Sequence, residues 1–232
     1  MLLVLNCLVE DESADEFDMA MSILLKNTNC VYQTYRASQT ESIADLHRYS
    51  HLLISGSEAS ALDDNSWDEL LVTTIDRFIT DKKPVLGICY GHQFLARTIV
   101  GKECLKKREL PEIGWAKIYN CSNELFRSVN DAVSVVLHYD EVAYLTDDFR
   151  IIASSQSCPI HSYQYKDLPV WGIQFHPEYN LELSKEIFEL FSKTEPKFDQ
   201  SFINDLDKES DLENITKVIK NFINVKETGG SR

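Results

Sequence analysis

The sequence predicts an open, doubly wound α/β fold, a mostly parallel sheet with helices on both faces and an antiparallel extension in its second half. Three observations predict it. Short apolar runs alternate with helix-period segments through the first hundred residues, the pattern of strands joined by covering helices. The second half carries short strand-like segments with few helical patterns between them. The 232 residues, 44% hydrophobic and 26% charged, suffice for one substantial domain with its own core.

The first strand is expected at Leu2–Val9. Its apolar start lacks the basic residue and small-residue cleavage site of a leader peptide, and Glu10-Asp11-Glu12 follows at once, so a buried strand fits better. No later stretch approaches the length of a bilayer span. Further strands are expected at Val31–Arg36, His51–Ser55 and Pro84–Cys89, with helices at Ala14–Lys26, Thr40–Tyr49 and Trp67–Thr80. The third helix opens with a capping box in which Ser66 and Glu69 satisfy each other's backbone N–H groups. Right-handed crossovers stack such units into a flavodoxin-like sheet, whose ligands bind outside the carboxyl ends of its strands. Cys89 falls at such an end. Gly114–Tyr119, Ala132–His138, Arg150–Ser155, Ile160–Tyr165 and Pro169–Phe175 read as strands of the extension. A helix from Leu181 to Ser192, a break at Pro196, a polar helical stretch at Leu212–Asn224 and a loose tail over 227–232 complete the chain.

A formal net charge of −14 repels phosphate backbones and anionic lipid, so neither nucleic acid nor membrane is expected as a partner. A soluble, cytoplasmic protein is expected. Six cysteines are spread singly; none forms a C-x-x-C pair and none is read as having a histidine at zinc-ligand spacing, so no metal is expected. Five of them read as small buried hydrophobes. Cys89 is the exception.

An apolar strand, Pro84-Val85-Leu86, runs into Gly87-Ile88-Cys89-Tyr90-Gly91, and a helix pattern starts immediately after. This is the cysteine form of a nucleophile elbow. Its turn is sharp enough to need Gly87 and Gly91 on either side of the sulfur, and the helix N-terminus favours thiolate. By itself the motif is compatible with an ordinary strand–helix turn. Later, Val170-Trp171-Gly172-Ile173-Gln174-Phe175 delivers His176, with Pro177 keeping the chain from turning helical. In an extended chain residues i and i+2 share a face, so Glu178 can orient the His176 ring towards the sulfur. The loop at Gly56-Ser57, after a third strand, can offer a backbone N–H to an oxyanion together with that of Tyr90.

With these residues assembled, the chain resembles the class I, triad-type glutamine amidotransferases. The segments Gly87–Gln93 and Gly172–Glu178 carry the resemblance, in order, over about Leu2 to Phe191. Ser55-Gly56-Ser57, Asp63–Trp67 and Glu112-Ile113-Gly114-Trp115 are similar to stand-alone γ-glutamyl peptidase-like and GMP-synthase-glutaminase-like members. The resemblance implies a domain over 1–195, with 196–226 as a helical extension packed on it. It implies that Cys89 attacks a γ-glutamyl amide, His176 shuttles the proton and Glu178 orients His176, with no cofactor. It also implies an oxyanion hole from the backbone of Ser57 and Tyr90, and substrate contacts from Gly56, Gln93, His138, Tyr139 and Asp140. For His138 a structural role is the better expectation, and Asp140 the better substrate contact. Two features depart from the family pattern. Glu58 replaces the proline common after the oxyanion glycines, which loosens the loop and puts a carboxylate near a developing negative charge. Between Pro159 and Pro169 the family pattern is hard to trace.

Three functions compete. One is hydrolysis of glutamine; with no G-x-x-x-x-G-K-[ST] loop in the chain, any synthetase that takes the ammonia is expected to be a separate chain. The second is a γ-glutamyl peptidase, and the third a catalytically retired scaffold, against which the intact Cys–His–Glu set argues. A papain-like protease does not fit the position of the cysteine, and the glyoxalase- and chaperone-type relatives of the fold lack His-Pro-Glu.

Overall fold

The computed structural model describes residues 1–26, 28–130 and 132–226, and among these ten strands join in one open sheet. Its parallel part is β2 (Tyr32–Arg36), β1 (Leu2–Asn6), β3 (His51–Ile54), β4 (Val85–Ile88) and β9 (Val170–Ile173), in that spatial order. Side chains of β1 alternate between two cores. Leu2 and Val4 pack with Phe17 and Met21 of α1 (Asp11–Leu25), whereas Leu3 and Leu5 pack with Leu71, Ile75 and Phe78 of α2 (Asp68–Thr80) and Phe94 of α3 (Tyr90–Val100). A strand covered on both faces must be apolar at successive positions, which explains the run Leu2–Leu5. Helices therefore cover both faces, as the sequence predicts.

The antiparallel part is β8 (Ser162–Tyr165) against β9, then β7 (Phe149–Ser154), then the last two residues of β5 (Leu105–Asn120). The rest of β5 pairs with β6 (Ala132–Val142), with a register shift between Lys107 and Glu112. β5 thus begins at Leu105 rather than at Gly114.

After α4 (Leu181–Thr194) come α5 (Phe198–Ser201), β10 (Phe202–Asn204), α6 (Glu209–Ile215) and α7 (Lys217–Ile223). β10 lies parallel to β5 across Gly114, where φ is +129° and a Cβ would stand 2.0 Å from the Ile203 carbonyl oxygen; only glycine admits β10 there. The stretch expected as one helix at Leu212–Asn224 is two, divided at Thr216, and its inner face supplies Ile215, Val218, Ile219 and Phe222 to the α1-side core. We propose residue 195 as the boundary between the main domain and a packed extension; the expected tail, 227–232, lies outside the described residues.

Two other local expectations are corrected. Thr40–Tyr49 is not a helix: a 3-10 turn at Ala37–Gln39 precedes it, and within it only Leu46–Arg48 forms another, entered through Asp45 at φ +53°. Tyr49 is drawn into the core, its hydroxyl donating to Gln33 Oε1 at 2.8 Å, and that anchorage overrides local propensity. The capping box does not form. Trp67 takes the N-cap position of α2, without a side-chain cap, while its indole N–H donates to the Tyr90 hydroxyl at 3.1 Å. Of the five cysteines expected inside, Cys121 is exposed and Cys30 only partly buried. No helix among the described residues is long and apolar enough to cross a membrane.

Candidate active site

β3, β4 and β9 are neighbours, with Ile54 beside Gly87 and Ile88 beside Ile173. Their carboxyl ends release the Ser55–Ser57 loop, Cys89 and the Gln174–Glu178 segment at one edge of the parallel sheet, where doubly wound folds bind ligands.

Cys89 stands between β4 and α3 at φ +50°, ψ −101°, a conformation side chains rarely adopt and one that the surroundings must hold. Its N–H donates to the Ile173 carbonyl (2.8 Å), and that of Gly91 to the Ser55 carbonyl (3.0 Å), tying the turn to both flanking strands. A Cβ on Gly87 would lie 2.3 Å from the Gly91 carbonyl oxygen. One on Gly91 would lie 2.4 Å from the Ile54 carbonyl oxygen. Both glycines are therefore required, but Gly91 by the neighbouring strand rather than by Gly87.

His176 is delivered differently from expectation. β9 stops at Ile173, the chain bends at 174–175, and the His176 N–H donates to the Val135 carbonyl of β6 at 2.9 Å. Residues 177–178 form a turn, so Glu178 meets the ring across a turn and not along one face of an extended strand. The His176 Nδ1–Glu178 Oε1 distance is 2.7 Å. His176 Nε2 and Glu178 Oε2 are buried and without hydrogen-bond partners among the described residues. Burial alone would strip the ring of its proton; the Glu178 charge, the nearby Cys89 sulfur and the bond to Glu178 instead push its pKa up to about 10. Such a ring can hold a proton against a thiolate. Tyr179 stacks flat on it, 4.9 Å between centroids. Gly56 lets the β3 loop approach, since a Cβ there would stand 3.0 Å from His176 Cε1 and 3.7 Å from Cys89 Cβ.

The other expected site residues divide. Ser57 donates its hydroxyl to the Cys7 carbonyl (2.7 Å), while Tyr90 buries its ring beside Trp67 and begins α3. Glu58 turns to accept the Val9 N–H at 2.8 Å, which gives its carboxylate a partner on the β1–α1 connection. Gln93 Nε2 donates to the Asp140 carbonyl (2.7 Å) and to Gln174 Oε1 (3.1 Å). Asp140 Oδ2 accepts the Ser60 hydroxyl at 2.5 Å. Tyr139 points to Glu195 at the end of α4, donating at 2.8 Å. His138 is buried with both nitrogens engaged, Nδ1 by the Asp140 carbonyl (3.0 Å) and Nε2 by Glu112 Oε2 (2.5 Å).

Sequence reading missed Gln174, whose Nε2 donates to Cys89 Sγ at 3.5 Å, and the Leu137 carbonyl, which faces the same sulfur at 3.6 Å. The place of Gln174 two residues before His176 was a signal that went unused. It also missed Glu112, held well below the usual carboxylate range because bonds from His138 and His161 outweigh its burial. The expectation that no cysteine has a histidine at ligand spacing is corrected: Cys158 and His161, three residues apart, come together with Glu112 and His138.

Comparison with known proteins agrees with this architecture. The sequence model of the glutamine amidotransferase class-I family matches residues 14–193, and the chain belongs to that family. One subunit of a glutamine-hydrolyzing GMP synthase from Methanocaldococcus jannaschii is 35% identical over 122 residues, covering 51% of this chain and 64% of that protein, just under two thirds of its length. Gamma-glutamyl peptidase 2 of Arabidopsis thaliana is 29% identical over 195 residues, covering 79% of this chain and 77% of that protein. A glutamine amidotransferase crystal structure from Thermotoga maritima superposes with a TM-score of 0.75 at 19% identity, over 96% of this chain and 95% of that one, which shows a shared fold.

Proposed function

We propose that the chain hydrolyses the γ-glutamyl amide of glutamine, or of a γ-glutamyl compound, through a thioester on Cys89. The observation that carries this is Cys89 held at φ +50° on the elbow, with the His176–Glu178 pair against the same Gly56 loop. The sulfur attacks the amide carbon. The oxyanion receives the backbone N–H groups of Ser57 and Tyr90, and His176 passes its proton to the departing nitrogen, releasing ammonia or an amine. Water, deprotonated by His176, then cleaves the thioester to free the glutamyl acid and the thiol. Glu178 keeps the ring's tautomer and stabilises the imidazolium. Gly56, Gln93 and Asp140 shape the pocket for the substrate's amino and carboxylate groups. A separate synthetase chain as acceptor of the ammonia is supported by the relatives that are themselves subunits of GMP synthases.

A γ-glutamyl peptidase is the second reading. It is favoured by the peptidase relative, whose alignment spans more of both chains than that of the Methanocaldococcus protein. Incubation of the pure chain with glutamine and a panel of γ-glutamyl peptides, with ammonia, glutamate and freed peptide all measured, separates the two. Preference for free glutamine, raised by a co-purifying synthetase, ends the peptidase reading. Release of none of the three products ends both.

A further inference from the structure

Beside the candidate acyl pocket lies a second cluster that the hydrolysis does not use. Glu112 of β5, His138 of β6, and Cys158 and His161 from the connection between β7 and β8 each place one donor atom within 4.8 Å of all the others, and all four residues are buried. The Ser155 hydroxyl (2.8 Å) and that of Ser157 donate to Glu112 Oε1. That fixes the carboxylate and turns Oε2 towards His138 Nε2 at 2.5 Å and His161 Nε2 at 3.1 Å.

A count of donors exposes a conflict. His138 Nδ1 faces the Asp140 carbonyl at 3.0 Å, and a carbonyl only accepts, so Nδ1 carries the proton. The neutral ring then aims the lone pair of Nε2 at a carboxylate oxygen 2.5 Å away. Two buried acceptors at that distance need something cationic between them, either a second proton or a metal ion. The Cys158 sulfur and the second imidazole complete a set that suits the metal better than the proton.

We propose that Glu112 Oε2, His138 Nε2, His161 Nε2 and Cys158 Sγ form a binding site for one zinc-like divalent cation. Two imidazoles, one thiolate and one carboxylate are a characteristic borderline-soft donor set, and their two negative charges neutralise the ion in a buried place. Bonds of about 2.0–2.3 Å put tetrahedral donors about 3.3–3.8 Å apart. The His138–Glu112 edge therefore opens and the widest edges close by about 1 Å on binding. The thiol proton leaves to solvent as the ion binds. Outer partners are already in place: the Asp140 carbonyl behind His138 and the two serine hydroxyls behind Glu112. The ion pins β5, β6 and the β7–β8 connection to one another. It also reaches the hydrolytic site, because the His161 carbonyl accepts the Gln174 N–H at 2.8 Å and Gln174 contacts the Cys89 sulfur.

The test uses the full chain carrying Cys89→Ala, which removes the other thiol that neighbours an imidazole. Chelator-treated protein is titrated with Co2+ while thiolate-to-cobalt charge-transfer and tetrahedral d–d bands are recorded. Expected are saturation near about one ion per chain, displacement by Zn2+ and a rise in melting temperature with either metal. Cys158→Ser should lose the charge-transfer band. A folded Cys89→Ala chain that shows no such band overturns the proposal whether or not Cys158→Ser folds, and leaves a shared proton between His138 and Glu112. Persistence of the band in Cys158→Ser overturns it as well.

Discussion

Two carboxylate–imidazole pairs hang on the same strand, β6, and their difference is instructive. His176 is bridged to Val135, and His138 sits a few residues further on. Both pairs are buried and both are short, 2.7 Å for His176–Glu178 and 2.5 Å for His138–Glu112. In the first, one ring nitrogen and one carboxylate oxygen have no partner among the described residues. In the second, every ring nitrogen and carboxylate oxygen faces a partner: His138 lies between the Asp140 carbonyl and Glu112, and Glu112 also faces His161 and accepts from two hydroxyls. Burial does not distinguish them; satisfaction does. A buried polar atom left unpaired is costly to fold, and under the proposed function those on His176 and Glu178 await a substrate atom or a proton. The Glu112 cluster is close to saturated, with His161 Nδ1 the one ring nitrogen unpartnered among the described residues.

That contrast can be broken or sharpened by substitution. Cys89→Ala should show the largest effect, a loss of turnover on the order of 10⁵-fold with little change in melting temperature. Steady-state ammonia release and thermal circular dichroism on one preparation measure both. Residual turnover close to that of the parent would remove the sulfur from the chemistry. Glu178→Gln should lower kcat by roughly 10²–10⁴-fold and leave KM nearly unchanged, the mark of an orienting group. Glu112→Gln should do the reverse, costing about 3 kcal/mol in urea denaturation because buried donors lose a charged partner. If it instead lowers kcat alone and leaves stability intact, the two pairs do not differ as described.

Protonation offers a finer probe. The folded His176 pKa of about 10 lies above its unfolded value near 6.5, so its contribution to stability is complete below that lower value. It is lost as pH climbs through the upper one. The stability difference between the parent chain and His176→Gln should therefore shrink steadily from about pH 6 to about pH 10 in urea titrations. A difference that grows with pH contradicts the assignment. The smallest effect is expected from Tyr139→Phe. Its bond to Glu195 is at the surface, so stability should change by less than about 1 kcal/mol and KM not at all. A marked rise in KM would return Tyr139 to the substrate pocket.

What the sequence makes legible is what short-range geometry dictates. Gly87-Ile88-Cys89-Tyr90-Gly91 can be read because the strain is local: a few consecutive residues contain both the sharp turn and the glycines that permit it. The double-sided burial of β1 can be read from its unbroken apolar run. The Glu112 cluster cannot, because Glu112 and His138 meet through the β5–β6 register, which shifts between Lys107 and Glu112, while Cys158 and His161 arrive from the β7–β8 connection. The helix expected at Thr40–Tyr49 fails for a related reason, since Tyr49 answers to Gln33 across the fold rather than to its neighbours in sequence. β10 is a short strand whose admission depends on Gly114 having no side chain, a condition written far from the strand itself.

The position of β9 carries a consequence for biosynthesis. It is laid down long after β4, yet it lies between β4 and β8 and brings His176 with it. While the polypeptide is still emerging, the elbow can form with its sulfur but without His176 beside it. Under the proposed function, Cys89 meets His176 only once β9 is in place beside β4. A nascent or truncated chain ending before Val170 would then carry the Cys89 thiol without the proposed base, His176.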